Sequence, residues 1–390
     1  MTKLLNSKFI ACNPMVDIIS YACSKCYKTR EKSSYLEKEN YIERRISSGH
    51  ESILEHGNYI TEYIVDKNFA TDIIDIFPSF KYLNVKVKDY GLYYYILLAG
   101  SPRAYKHIFR TFVGANNQLL NLIRREMEIT MNSSFLKDFI DDDIIKESHN
   151  STLCESYQEL KEPVKLNEYA TILNADNLSY IFHELDGRYS IDDLLDICTV
   201  TIDFTNISRV ISQQFTRHRN GITQESQRYV DYSNQKFNSP EIFNIDLEKD
   251  KKYIINDKET TLDNLGQDII KIYPQLLNQG LKKEDARAFL PNNVTTSFVM
   301  TFTYRNLISF LKLRTHKSAQ NEIRFIARSI EEWFIYYVHE TINESLDIYA
   351  YLEPGYKTSQ DNDYIPNDAN ISEYVNPFDE NGEYSEEDYI

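Results

Sequence analysis

Between Arg217 and Tyr229 the chain reads Arg-His-Arg-Asn-Gly-Ile-Thr-Gln-Glu-Ser-Gln-Arg-Tyr, a run of arginines, amides, hydroxyls, one histidine and one carboxylate. What precedes it limits how such a stretch can be presented. Thr199-Val200-Thr201-Ile202-Asp203-Phe204 alternates like a half-buried strand, and a short helix is predicted from about Ser208 to Thr216, with Val210, Ile211 and Phe215 apolar. A fold that accepts this segment must run a strand into a helix and open a polar stretch at the helix end. Arginine offers a planar fork of donors that fits phosphate or carboxylate oxygens two at a time, so an anionic ligand is the first expectation. The competing reading is a solvated loop laced with surface ion pairs.

Composition narrows the partners. A net charge of −16, with 59 acidic against 43 basic residues, argues against a general nucleic-acid binder, whose affinity rests on neutralising phosphates. Much of that charge lies after about residue 351, where Lys357 is the only base, so 351–390 reads as an acidic, disordered tail. The body is then only mildly acidic, which leaves room for a locally positive pocket. No apolar run approaches the roughly 20 residues of a membrane span, and the N-terminus lacks a signal-peptide core. A cytoplasmic protein is expected, with no nucleic acid and no membrane among its partners. Five cysteines suggest no disulfide framework, and Cys23-Ser24-Lys25-Cys26 has no second pair with which to build a structural zinc site. No metal is expected.

Along the chain, 14–64 reads as helical, with the turn Ser47-Ser48-Gly49 leading into His50-Glu51-Ser52-Ile53-Leu54-Glu55-His56. Histidines six apart do not share a helix face, so a metal pair is not expected there. Leu92–Leu98 is strand-like, with helices predicted around 104–112 and 119–131, and loops over 141–143, 147–163 and 174–177. Arg103, Lys106, His107 and Arg110 form a basic face, read as solvated. With 11 glycines and no phosphate-binding glycine loop, a nucleotide-binding α/β fold has little support. A helix covers about 262–279, Thr295–Tyr304 is β-prone, and Ile323–Ile342 is a core helix. Leu307, Phe310, Leu311 and Arg314 fall at i, i+3, i+4 and i+7, which puts Arg314 at the end of an apolar stripe, either snorkelling outward or anchoring an anion.

Four motifs in order resemble the flavin-dependent thymidylate synthases. Arg217-His218-Arg219 with Gln224–Tyr229 resembles that family's signature, which starts Arg-His-Arg and ends Ser-x-Arg-Tyr. Gly49–His56 is similar to its upstream His-x-Ser-x-x-Glu-His element. Arg287-Ala288-Phe289-Leu290-Pro291, with Arg305, Leu311–Arg314 and Ala319–Ile323, resembles its C-terminal block, and Tyr21–Tyr27 its N-terminal helix. The likeness covers roughly 8–60 and 200–345. It implies an α+β fold, a central mostly antiparallel sheet flanked by helices, with a large α/β insertion. The expected domains are 1–64 with 199–350 as a discontinuous catalytic unit, and 65–198 as an insertion of unknown role. Tyr94–Arg110 loosely echoes Phe204–Arg217, as a degenerate repeat would. Asn220–Glu225 is one residue shorter than the family's usual spacing, Gln224 stands where many members have Glu, and Thr303 and Ser309 replace residues often Asn or His.

The resemblance further implies conversion of dUMP to dTMP with FAD, NADPH and methylenetetrahydrofolate, without an enzyme cysteine as nucleophile, in a homotetramer whose sites are shared between subunits. Arg217, His218, Arg219, Gln224, His50, Ser52, Thr303, Arg305 and Ser309 are then expected at the flavin. Gln214, Arg217, Gln224, Glu225, Ser226, Gln227, Arg228 and Arg287 are expected to hold dUMP. Arg314, at the uracil edge, is the catalytic expectation, its charge favouring the N3-deprotonated base. A flavin- and folate-dependent hydroxymethylase, or a non-catalytic nucleotide-binding relative, remain as alternatives.

Overall fold

Two antiparallel sheets carry the chain. The structure is a computed structural model that describes residues 6–67, 75–112, 120, 123–124, 163–239, 243, 248 and 251–342. The acidic tail, the loop at 141–143, nearly all of the 147–163 stretch and most of the helix expected over 119–131 lie outside the described residues.

The first half runs β1 (Asn6–Cys12), α1 (Met15–Tyr27), α2 (Tyr35–Ser47), a 3-10 turn (Glu51–His56), β2 (Tyr59–Asp66), β3 (Leu83–Tyr90), β4 (Tyr93–Gly100) and α3 (Pro102–Thr111), with strand order β1-β2-β4-β3. A capping box starts α2: Ser34 Oγ accepts from Glu37 N, and the Glu37 carboxylate accepts from Ser34 N. On β4, Leu97 and Ala99 face one core while Ile96 and Leu98 face another, so the sheet is covered on both sides. That double burial explains the unbroken apolar run Tyr93–Gly100. The structure corrects the helical reading of 57–64. Tyr59–Asp66 is a strand paired on both edges, with β1 and with β4.

The second half follows with β5 (Val164–Lys165), β6 (Ala170–Ala175), α4 (Leu178–Glu184), α5 (Ile191–Leu195), β7 (Thr199–Ser208), α6 (Arg209–Thr216), β8 (Gly221–Gln224), β9 (Tyr253–Ile255), β10 (Lys258–Thr260), α7 (Leu262–Ile270), α8 (Ile272–Asn278), α9 (Lys283–Ala286), β11 (Thr295–Thr303), α10 (Tyr304–Arg314) and α11 (Asn321–Ile342). Its main sheet has the order β5-β6-β7-β11-β8, and every pair is antiparallel. The arrangement is α+β, as expected. The single helix expected over 262–279 divides at Lys271. β7 is not half-buried. Val200, Ile202 and Phe204 enter the main apolar core, while Thr201 and Asp203 are buried opposite, in hydrogen bonds with Thr301 and Tyr21.

Strand pairing distributes 65–198 between the two sheets. β4 completes the sheet begun by β1 and β2, and β6 pairs with β7. The segment is divided between two sheets that share a core through Ile10, Ile60 and Leu97. In both halves a strand ends at a serine and turns into a helix, β4–Ser101–α3 and β7–Ser208–α6, as the echo between the two segments predicts.

Candidate active site

Aromatic packing fixes where the signature stretch begins. Phe215 lies 4.6 Å from Phe204, 5.0 Å from Phe298 and 5.0 Å from Phe310, ring centre to ring centre. Each such ring contributes a few kcal/mol of burial, which pins α6 to the sheet and sets down Arg217 and His218 at its end. α10 buries Leu307, Phe310 and Leu311, so its stripe delivers Arg314 to the same place. Arg314 anchors rather than snorkels: Nη1 donates to Gln214 Oε1 at 3.2 Å and Nε donates to His218 Nε2 at 3.3 Å. Gln214 Nε2 in turn donates to Gln320 Oε1 at 2.8 Å. Burial, with Arg314 second, pushes the His218 imidazole down to about 4, so it is a neutral acceptor at physiological pH.

β8 carries the stretch onward along β11. Gly221 is required there, because a Cβ would stand 2.9 Å from the Glu55 carbonyl oxygen. Gln224 Nε2 donates to Ser212 Oγ at 2.9 Å, and Ser226 N donates to the Cys26 carbonyl at 2.9 Å. Arg228 Nε donates to Glu284 at 3.1 Å, and Arg287 Nε to the Glu284 carbonyl at 3.1 Å, so these two arginines and Ser226 share one surface. Two expected nucleotide ligands are placed otherwise. Glu225 and Gln227 point inward from the strand's continuation, 4% and 6% exposed, with Glu225 3.8 Å from Lys28 Nζ. Gln227 lies in a turn that Tyr229 N and Val230 N close on the Ser226 carbonyl.

The expected flavin residues divide as well. Arg219, at φ +54°, has no side-chain hydrogen bond or ion pair among the described residues, and it lies on the same cavity wall as Thr303. The guanidinium of Arg305 is engaged by Asp196 at 2.5 Å and Asp192 at 3.0 Å. Ser309 Oγ donates to the Arg305 carbonyl at 3.0 Å. His50 packs edge-on to Tyr27 and Tyr229, and Ser52 is exposed. The basic face of α3 is largely taken up in ion pairs, with Arg110 still exposed. Lys106, 2% exposed, pairs with Glu51 at 3.0 Å, Arg110 with Glu51 at 2.7 Å, and Arg103 with Glu55. The pairing holds the Glu51 carboxyl down at about 2.

Sequence reasoning missed Arg209. Its Nη1 is buried without a hydrogen-bond partner, and its charge acts on the same neighbourhood as Arg287. Its position in the first turn of α6, ahead of the quoted motifs, carried no signal. Of the described cysteines, Cys23 and Cys198 are buried free thiols and Cys26 is half-buried. Cys23 and Cys26 are both pushed up to about 11 by burial, and the described residues hold no cluster of possible metal ligands. A Cys26→Ser variant is expected to keep full turnover, and a steady-state assay showing its loss would overturn the cysteine-free reading.

Among the described residues, Arg217, Arg219, Arg287 and Arg314 have no carboxylate side chain as an ion-pair partner, in a chain of net charge −16. That arrangement suits an anionic ligand. No described helix is long and apolar enough to cross a membrane.

The chain is similar to flavin-dependent thymidylate synthases of Pyrococcus abyssi, 32% identical over 41% of this chain and 64% of that protein, and of Sulfolobus acidocaldarius, 38% identical over 34% and 48%. It thus spans less than two thirds of the length of these relatives. A solved structure of thymidylate synthase X from Helicobacter pylori with FAD and dUMP aligns at 15% identity and a TM-score of 0.31, covering 42% of this chain and 81% of that one. The family model described as Thy1, thymidylate synthase complementing protein, matches residues 125–335, taking in the signature and the C-terminal block but not Gly49–His56. With more than half of its length matched, the chain belongs to the Thy1 family.

Proposed function

We propose that this protein is a flavin-dependent thymidylate synthase that methylates dUMP to dTMP, with methylenetetrahydrofolate as carbon donor and NADPH as the source of reducing equivalents. The observation that carries the reading is the set of signature and C-terminal arginines without carboxylate partners, joined by Gln214 and a neutral His218. Arg228 and Arg287 are suited to the nucleotide phosphate. The Arg228–Glu284 pair is exposed and worth about 1 kcal/mol or less, so a bidentate phosphate displaces it readily.

The residues fit FAD, since Arg217 and Arg219 present free guanidinium forks and Thr303 lines the Arg219 cavity. Bound there, the flavin supplies the reducing equivalents that convert the transferred carbon to a methyl group. The protein's own part is placement and polarisation. Arg314 lies against the neutral His218, so its charge is left for the pyrimidine edge. Leu313, Phe289 and Tyr229, neighbours of Arg314, Arg287 and Arg228, are 59%, 56% and 48% exposed. Apolar residues beside site arginines suit coverage by other copies in a homotetramer that shares its sites. A cytoplasmic setting accords with free thiols at Cys23, Cys26 and Cys198.

The test is spectral and then chemical. Purified protein given FAD is expected to retain yellow absorbance through gel filtration. With dUMP, methylenetetrahydrofolate and NADPH it is expected to yield a product of the mass of dTMP. A product one oxygen heavier would identify a hydroxymethylase, and colourless protein would remove the flavoenzyme reading.

A further inference from the structure

The guanidinium of Arg314 is held from two sides, and neither holder is a carboxylate. Nε donates to His218 Nε2 at 3.3 Å and Nη1 donates to Gln214 Oε1 at 3.2 Å, while Nη2 has no hydrogen-bond partner among the described residues. An amide has donors at one end and an acceptor at the other, so only one orientation of Gln214 suits a guanidinium, which has donors alone. A third side chain fixes that orientation. Gln214 Nε2 donates to Gln320 Oε1 at 2.8 Å. The polarity therefore runs one way, from Arg314 to the Gln214 oxygen and from the Gln214 nitrogen to the Gln320 oxygen. One N–H and one lone pair of the Gln214 amide remain for a ligand.

Gln320 is itself placed by the start of α11. Its backbone carbonyl accepts from Arg324 N at 3.0 Å, in the first turn of that helix. Two residues on, the buried Glu322 accepts from Ser208 N at 2.6 Å and from Asn238 Nδ2 at 3.2 Å. Arg324 reaches back to the preceding loop, its Nη1 donating to the Lys317 carbonyl at 2.6 Å. α11 is thus fastened near both ends of α6, by Glu322 at Ser208 and by Gln320 at Gln214.

We propose that Gln320 is a positioning residue, whose side-chain oxygen orients the Gln214 amide so that Arg314 presents its Nη2 to the uracil edge of the nucleotide. That the ligand edge is a uracil rests on the function proposed above.

Gln320 is exposed, so its side chain can be changed with little risk to folding. Three variants separate orientation from charge. Gln320→Glu keeps an acceptor, Gln320→Leu removes it, and Gln320→Lys offers only donors, which turns the Gln214 amide round and sets its nitrogen against Arg314. Charge alone predicts the reverse ranking, since a lysine near the site favours the N3-deprotonated base and a glutamate opposes it. The first readout is N3 ionisation of bound 5-fluoro-dUMP, followed by ultraviolet absorbance, which needs neither flavin nor turnover. The N3 ionisation constant is expected to fall about tenfold in Gln320→Leu and Gln320→Lys, the effect of one hydrogen bond to a charged group, and to stay near wild type in Gln320→Glu. The second readout is dTMP formation, where kcat is expected to fall about tenfold in the same two variants with KM for dUMP within about twofold, the pattern of an interaction made in the transition state. Gln320→Leu and Gln320→Lys matching wild type in N3 ionisation would overturn the proposal. A loss in Gln320→Glu with a gain in Gln320→Lys would overturn it as well, as the mark of charge alone. Wild type that promotes N3 ionisation but forms no dTMP would remove the synthase reading and keep the role of Gln320, provided the variants rank as expected. Wild type that leaves N3 as it is in the free analogue would remove the role of Gln320.

Discussion

Arg314→Ala is expected to lower turnover by at least about a hundredfold while the protein still takes up FAD. The magnitude is that of removing one preorganised charge or donor from a reacting centre. Arg314 lies at the C-terminal end of α10, where the helix dipole favours a cation, and Gln214 and His218 hold its guanidinium in place. Burial and the nearby Arg217 make its charge harder to hold, so the site keeps it cationic at some cost. A fixed cation at the uracil edge favours the electron-rich base, and alanine removes that charge while leaving the α10 stripe packed. Arg314→Lys is expected to recover only part of the rate, because an ammonium cannot span Gln214 and His218 as a planar fork does. Stopped-time assays beside flavin absorbance decide the matter. Arg314→Ala turning over within tenfold of wild type, with flavin bound, would sink the assignment.

How much of this was legible in the sequence depended on range. The Arg217–Tyr229 stretch announced itself because its polarity is local, and the apolar spacing of Leu307, Phe310 and Leu311 gave the face of α10, with Arg314 at its end and two directions open to it. The helix capped by Ser101 and the one following Ser208 were visible for the same reason. Contacts distant in sequence were not. Lys106 looked solvated because Glu51 is remote from it along the chain and approaches only when α3 packs on the 3-10 turn. Arg305 looked free until α5 supplied Asp192 and Asp196. Tyr59–Asp66 lacked the alternation of a strand, because a sheet covered on both faces does not need it. The strand pairing of 65–198 was out of reach for a related reason: likeness to a family follows motifs, whereas the sheets follow hydrogen bonding.

The upstream His-x-Ser-x-x-Glu-His element yields the second large effect, through its last residue. His56 is fully buried, with Nδ1 3.0 Å from Thr301 Oγ1 and Nε2 2.8 Å from Thr223 Oγ1, and Thr301 is 2.8 Å from Thr201 Oγ1. One neutral ring thus ties the 3-10 turn to β8, β11 and β7, directly beneath the signature strand. Phenylalanine in its place would leave the buried Thr223 hydroxyl short of this partner, which costs about 1–3 kcal/mol, and would remove one of the two bonds of Thr301, worth about 1 kcal/mol. His56→Phe is therefore expected to lose about 2–5 kcal/mol in urea unfolding. The same residue sets an acid limit. Burial depresses its folded value to about 3, against roughly 6.5 in the unfolded chain. Below about pH 6.5 the unfolded chain takes up a proton that the native state refuses, so stability falls as pH drops from there toward 3. Asp176 works in the opposite sense, since burial raises it to about 6, and below that the native state takes up its proton first. Between about pH 6 and 4 the two contributions nearly cancel, so the histidine's share is read against a variant that lacks the ring. Urea midpoints measured from pH 7.5 to 4.5 should fall more steeply in wild type than in His56→Gln, which has nothing to protonate. Parallel slopes would show that the ring is not held neutral.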